Sequence, residues 1–231
     1  IQKAPKIKAT TIDMTKSRYV YNSSMKKVAI YPSLLALAER KQDWNSEIER
    51  VAPISSGIHY DIGDGALVPS FMLSVEDIGL IESPLPVDVH IMVQKPSEYI
   101  PKLLTFPSVS AIAFHIECSE DIHETIQTLK NAGKKVGLAI LDTTPADYLD
   151  PYILEIDYVI VMTIKAGYSG NPFMTEMLSK IENIHHKRPE LAIVVDGGIG
   201  EKTLPLCADA GVTGAVMSSA LFLTKDISWL L

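Results

Sequence analysis

Two cysteines in 231 residues, Cys118 and Cys207, are too few and too far apart for a disulfide framework, and neither has metal-ligand spacing. They suit reduced, partly buried thiols in a cytoplasmic protein. No apolar run approaches the roughly 18 residues of a membrane span. The first residues, Ile1 to Lys8, carry lysine but no apolar signal-peptide core. Positive charge is also scarce: 21 Lys and Arg against 28 Asp and Glu leave a net charge of −7. That argues against a nucleic-acid partner, which a basic face would announce, but leaves room for a small anionic ligand in a local pocket. The fingerprint G-x-G-x-x-G is missing after the first apolar strand, which lowers the dinucleotide-binding alternative.

What is present is apolar residue in quantity, 47% of the chain, enough for one sizeable core. Residues 1–26 are mixed, with Lys-rich patches, and read as an N-terminal extension before a domain spanning 27–231. Strands are expected over 28–31, 57–62, 87–92, 110–116, 136–141, 156–163, 191–195 and 215–217. Helical patterns are expected over 44–51, 96–104, 120–132, 145–149, 172–186 and 201–210. Alternation of this kind points to a parallel sheet. Eight repeats fit an α/β fold closed as a single (β/α)8 TIM barrel, for which about 250 residues is usual. In such a barrel functional side chains gather at the C-terminal ends of the strands.

Three of those ends carry chemistry. Ile58-His59-Tyr60-Asp61 places an imidazole and a carboxylate two residues apart, hence on one face of a strand. Asp88-Val89-His90-Ile91-Met92 repeats the pattern, and Val194-Val195-Asp196-Gly197-Gly198 runs a strand into a carboxylate and a glycine turn. His59, Asp61, His90 and Asp196 are therefore candidate ligands of one divalent metal ion, and the donor types suit Zn²⁺, Fe²⁺, Mn²⁺ or Co²⁺ better than Ca²⁺. Asp88, one layer deeper than His90, either fixes the His90 tautomer or bonds to backbone. A second signal is the run of turns Gly167-Tyr168-Ser169-Gly170, Gly197-Gly198 and Ser218-Ser219 after the last three strands. Glycine lets backbone N–H groups approach an anion, and barrels often hold phosphate near strands seven and eight.

Together these pieces resemble the ribulose-phosphate 3-epimerase family, from about Val28 to Phe222. The matching segments are Pro32-Ser33-Leu34-Leu35, His59-x-Asp61 with Asp64-Gly65 and Val68-Pro69, Asp88-Val89-His90-Ile91-Met92, residues 162–170, Asp196-Gly197-Gly198 and Ser219-Ala220-Leu221-Phe222. The resemblance implies an isomerase that inverts C3 of D-ribulose 5-phosphate to give D-xylulose 5-phosphate, through an ene-diolate. It implies that Asp61 and Asp196 both bind the metal and act as the acid/base pair, one on each face of the sugar. Ser33 and His90 would contact the sugar; Met92 and Met162 would line the reacting centre. Gly167, Tyr168, Ser169, Gly170, Gly197, Gly198, Ser218 and Ser219 fall where the family binds the phosphate.

Departures from the family pattern bear on the substrate. Gly63 stands where a methionine is expected, so one apolar wall is missing and room opens near the substrate. Ser169 and Ser218 stand where bare glycine backbone should meet phosphate. Lys165 in the same loop either compensates by charge or is a solvated lysine. These changes keep two other readings open: an epimerase for a six-carbon ketose phosphate such as allulose 6-phosphate, and a non-catalytic sugar-phosphate-binding barrel. A Schiff-base aldolase using Lys165 would need that lysine desolvated. An acidic barrel with an arm-like extension is compatible with a homo-oligomer.

Overall fold

A computed structural model describes residues 28–40, 43–70, 72–166, 170–224 and 226–230; the expected extension over 1–26 lies outside them. Eight parallel strands alternate with helices in chain order: β1 Ala29–Pro32, β2 Ile58–Gly63, β3 Val87–Met92, β4 Val109–His115, β5 Lys135–Ile140, β6 Tyr158–Met162, β7 Ala192–Asp196 and β8 Gly214–Met217. From β2 onward each strand pairs with the next, and β8 pairs with β1. The ring closes between β1 and β2 through a parallel bridge, Ser33 to His59, with the Leu34 N–H donating to the His59 carbonyl at 3.3 Å. The fold is a (β/α)8 TIM barrel. Among the described residues, no helix is long and apolar enough to cross a membrane.

The helices are α1 Leu35–Glu39, α2 Trp44–Val51, α3 Ile100–Leu103, α4 Ile122–Asn131, α5 Met177–Lys187, α6 Leu204–Asp209 and α7 Ser219–Phe222. The two strongest helical patterns start where carboxylate caps stand: Asp43 accepts from the Asn45 N–H, and Asp121 from the Glu124 N–H. Helix α1 was not expected, because five residues show too little periodicity. Segment 96–104 resolves into a 3₁₀ turn, Pro96–Glu98, followed by α3. Helix α5 begins five residues later than its pattern suggests. Residues 170–176 form a loop instead, held by the Met174 N–H donating to the Thr163 carbonyl at 2.8 Å.

Alternation along the strands separates two apolar layers. Ile58, Tyr60 and Ile62 of β2 face the helices in a cluster with Val89, Ile91, Ile112 and Phe114. A smaller cluster fills the barrel interior: Ala111, Ala113, Ala139, Tyr158, Ile160, Met162, Val194 and Val216. The interior is graded by size. Alanines of β4 and Gly137 of β5 leave space for Tyr158 of β6 to lie across them, and its hydroxyl reaches Asp88 of β3 at 2.5 Å. A Cβ on Gly137 would meet Tyr158 Cζ at 2.4 Å and the Ala113 Cβ at 2.8 Å. Gly137→Ala is therefore expected to cost about 1–3 kcal/mol through overpacking, read as a lower denaturation midpoint with an unchanged slope. Both cysteines are free thiols, and burial pushes Cys207 up to about 12.

Candidate active site

The parallel register assembles the site. Asp61 of β2 pairs with His90 of β3, and His59 with Asp88 one layer below. Residues paired across parallel strands point the same way, so all four enter the barrel. Asp196 ends β7 on the far side and completes the ring. His59 Nε2 lies 3.2 Å from Asp61 Oδ1 and 3.7 Å from Asp196 Oδ2. His90 Nδ1 lies 3.3 Å from Asp196 Oδ2 and 3.6 Å from Asp61 Oδ1. One donor atom from each of the four residues lies within 4.8 Å of the others.

Two observations show that this set fits a metal ion. Both histidines are fully buried, yet His59 Nδ1, His59 Nε2 and His90 Nδ1 have no hydrogen-bond partner, and buried polar atoms are rarely left so. The donors are two imidazoles and two carboxylates, a combination that suits a divalent transition metal. Without a cation the groups compensate one another. Burial works against charge on His59, but the Asp61 carboxylate, with Asp196 and Asp88 behind it, outweighs burial and lifts the imidazole to about 9. Burial likewise disfavours the Asp61 carboxylate, and His59 and His90 more than reverse this, holding it well below the usual carboxylate range.

Asp61 is fixed further by the Ser33 hydroxyl, which donates to its Oδ2 at 2.6 Å. Asp88 turns out to be neither the partner of His90 nor bonded to backbone. It accepts from Tyr158, and burial raises its carboxyl. The group that touches the outer nitrogen of His90 is His115, at the end of β4: the two Nε2 atoms lie 3.0 Å apart and the rings stack at a 15° angle. His115 and Glu117 form an i, i+2 polar pair closing a strand, the same sequence signal as His59 and Asp61. Burial keeps His115 below its ordinary value.

Above the four candidate ligands opens a cleft of about 610 Å³, counting the part open to solvent. Of the expected site residues, it is lined by Ser33, Asp61, Met92, Met162, Gly170, Asp196, Gly197, Gly198, Ser218 and Ser219. Gly167, Tyr168 and Ser169 lie outside the described residues. Lys165 is exposed and does not line the cleft, which removes the desolvation that a Schiff-base lysine requires. Gly197 adopts φ +109°, and a Cβ there would meet Ile164 Cγ1 at 2.3 Å, so this turn accepts no side chain. Ser218 is used structurally. Its hydroxyl donates to the Ser33 carbonyl at 2.9 Å and accepts from the Ala36 N–H at 3.2 Å, stitching β8 to the start of α1.

The gap expected at Gly63 is filled. Met72, from the segment that folds back along β2, puts its Cγ 3.1 Å and its Sδ 3.4 Å from where a Gly63 Cβ would stand, and it lines the cleft. The Met72 N–H donates to the Gly63 carbonyl at 3.3 Å, and the Leu73 N–H to the Asp61 carbonyl at 3.1 Å. The apolar wall is therefore present but comes from nine positions further on. Sequence reasoning missed it because the loop brings Met72 there without periodicity.

Comparisons with known proteins identify the family to which the barrel belongs. A profile described as the ribulose-phosphate 3 epimerase family matches residues 29–222. The ribulose-phosphate 3-epimerase of Aquifex aeolicus is 32% identical over 206 residues, covering 85% of this chain and 90% of that protein. The Escherichia coli ribulose-phosphate 3-epimerase is 29% identical, covering 87% and 92%. Among solved structures, orotidine 5'-monophosphate decarboxylase from Sulfolobus solfataricus superposes with a TM-score of 0.61 at 14% identity over 88% of this chain and 94% of that one, a likeness of fold alone. With the profile spanning nearly the whole barrel and enzymes of one name aligned along it, the chain belongs to the ribulose-phosphate 3-epimerase family and is an isomerase acting on a phosphorylated sugar.

Proposed function

We propose that the chain interconverts D-ribulose 5-phosphate and D-xylulose 5-phosphate by moving the C3 proton between two carboxylates. The observation that carries this reading is the pairing of Asp61 and Asp196, on β2 and β7, across one buried donor cluster at the floor of the cleft. Inversion next to a ketone needs a base on one face of the carbon and an acid on the other. Ser33 holds Asp61 by its Oδ2, leaving Oδ1 toward the histidines. His59, Asp61, His90 and Asp196 would hold one divalent cation. Once bound, the cation supplies positive charge beside the substrate oxygens, where negative charge builds as the proton leaves. Met72, Met92 and Met162 close the apolar side of the pocket and exclude water, while Gly197, Gly198 and Ser219 leave little side-chain bulk at the end expected to take the phosphate.

Met72 favours the five-carbon substrate over allulose 6-phosphate, because it occupies the space that Gly63 would otherwise open. Met72→Ala is expected to shift the ratio of kcat/KM toward the six-carbon ketose phosphate by about tenfold or more, the scale of a changed apolar contact in a pocket. Proton NMR in D₂O tests the parent reading. Loss of the C3–H signal of D-ribulose 5-phosphate, with appearance of D-xylulose 5-phosphate, is expected from metal-loaded protein. No exchange with either sugar, in protein shown to hold metal, would leave the non-catalytic sugar-phosphate-binding barrel. Compartment and assembly complete the reading. The rice relative is described as a cytoplasmic isoform, and the same location and a homo-oligomer are tested by fractionation and light scattering.

A further inference from the structure

Behind the metal ligands runs a chain of polar groups, buried at His90 and His115 and partly exposed at Glu117, that takes no part in lining the cleft. His90 Nε2 meets His115 Nε2 at 3.0 Å, and His115 Nδ1 meets Glu117 Oε2 at 3.0 Å. The other carboxylate oxygen of Glu117 accepts from the Leu141 N–H at 2.9 Å and from the Thr144 hydroxyl. The loop carrying those two donors is itself tied down, since Lys180 of α5 donates to the carbonyls of Leu141, at 2.9 Å, and Asp142, at 2.7 Å.

Hydrogen positions along this chain follow from one end. An ionised carboxylate only accepts, so His115 Nδ1 carries the proton that faces Glu117. Two buried imidazole nitrogens 3.0 Å apart share a single proton. With its Nδ1 protonated, neutral His115 offers a lone pair at Nε2, and His90 must donate from its own Nε2. With its Nε2 proton so committed, His90 turns Nδ1 toward Asp61 and Asp196, and this nitrogen is the bare lone pair once a cation is bound there. We propose that Glu117 is a positioning residue: acting through His115, it sets the tautomer of His90 so that Nδ1 is presented to the metal.

The inference rests on the metal-site reading above and extends it to a residue two side chains removed. Glu117→Gln is the informative change because it keeps shape and reverses one proton. The amide oxygen stays with its two donors, Leu141 N–H and Thr144 hydroxyl, and turns the amide NH₂ toward His115 Nδ1. His115 must then carry its proton on Nε2, His90 must accept there, and a proton appears on His90 Nδ1 in the site. Metal can bind only by breaking one of these hydrogen bonds.

Zinc serves as the probe, since it is diamagnetic and suits the donor set. Competition titration is expected to give one zinc per chain for the unsubstituted protein. Glu117→Gln should bind zinc about 10- to 100-fold more weakly, the usual effect of losing a partner behind a metal-binding histidine. Imidazole ¹⁵N spectra of the zinc-loaded unsubstituted protein should show His115 protonated at Nδ1 and bare at Nε2, a signature that packing alone does not produce and that needs no variant to fold. Zinc binding by Glu117→Gln as tight as the parent's, or His115 found protonated at Nε2, overturns the proposal while leaving the metal site standing. An unsubstituted protein that bound no zinc would sink both.

Discussion

Asp196→Asn is expected to lose about 10²- to 10⁴-fold in the rate of epimerisation, the usual contribution of one acid/base group, without losing all proton exchange. Asp61 and Asp196 enter the barrel from β2 and β7, with both histidines between them. In the proposed reaction, a substrate lying over that cluster would show one face of C3 to each carboxylate. Asparagine keeps an oxygen for the metal but cannot hold the proton, so only the Asp61 face remains active. One of the two epimers should then take up deuterium at C3 without inverting, and Asp61→Asn should make the opposite epimer do so. Asp61→Asn carries an added penalty, because its side chain is only 5% exposed and anchored by Ser33, whereas that of Asp196 is 14% exposed. The measurement is NMR exchange from each pure epimer, with metal content determined on the same samples. If either variant still inverted C3 at the parental rate, the two-carboxylate scheme would be wrong.

Much of this site could be read in the chain because β-strands convert spacing directly into facing. His59 and Asp61 had to share a face at two residues' separation, and so did Asp88, His90 and Met92. Repeating the strand–helix unit eight times then placed those faces in one barrel mouth. The four candidate ligands stand out together for that reason, and the structure brings their donor atoms within 4.8 Å. The strand boundaries fell within about two residues for the same reason, since hydrophobic runs such as Val159–Met162 allow little choice.

What stayed hidden depends on contacts that no period encodes. Met72 stands in for a side chain absent at Gly63 only because the segment after Pro69 doubles back on β2, with backbone bonds to Gly63 and Asp61. Both expectations for Asp88, a bond to His90 or to backbone, look only to its local surroundings along the strand. Its partner is Tyr158, seventy positions away, reached across the small residues of β4 and β5. Ser218 reads as an intrusion into a phosphate turn, yet its hydroxyl is consumed in tying β8 to β1. Loop 170–176 shows the same limit. Helical spacing after Pro172 is real, but Phe173 packs on Gly198 and Met174 bonds to Thr163, so the helix waits until Met177.

Chelation of the metal is expected to lower the melting temperature of the protein by about 8–16 °C at neutral pH. A cation present at about 1,000 times its Kd adds about 4.1 kcal/mol to the folded state. A chain of this size moves by about 2–4 °C per kcal/mol. The gap also depends on pH, and its sign follows from His59. In metal-free protein that imidazole is lifted from 6.5 to about 9 by its carboxylate neighbours. A raised pKa contributes stability that is complete below the unfolded value and disappears as pH rises through the folded one. Metal-free protein should therefore lose stability between about pH 6.5 and 9, as His59 gives up its proton and leaves Asp61 and Asp196 less well compensated. Metal-loaded protein holds His59 neutral throughout, because the ligand nitrogen must be unprotonated. The difference between the two melting temperatures should thus widen as pH increases, and metal binding near pH 7 should release protons measurable as a buffer-dependent heat. A melting temperature that a chelator leaves unmoved, in protein shown by elemental analysis to have held its metal, would mean that the four residues are held by their own ion pairs and owe nothing to a cation.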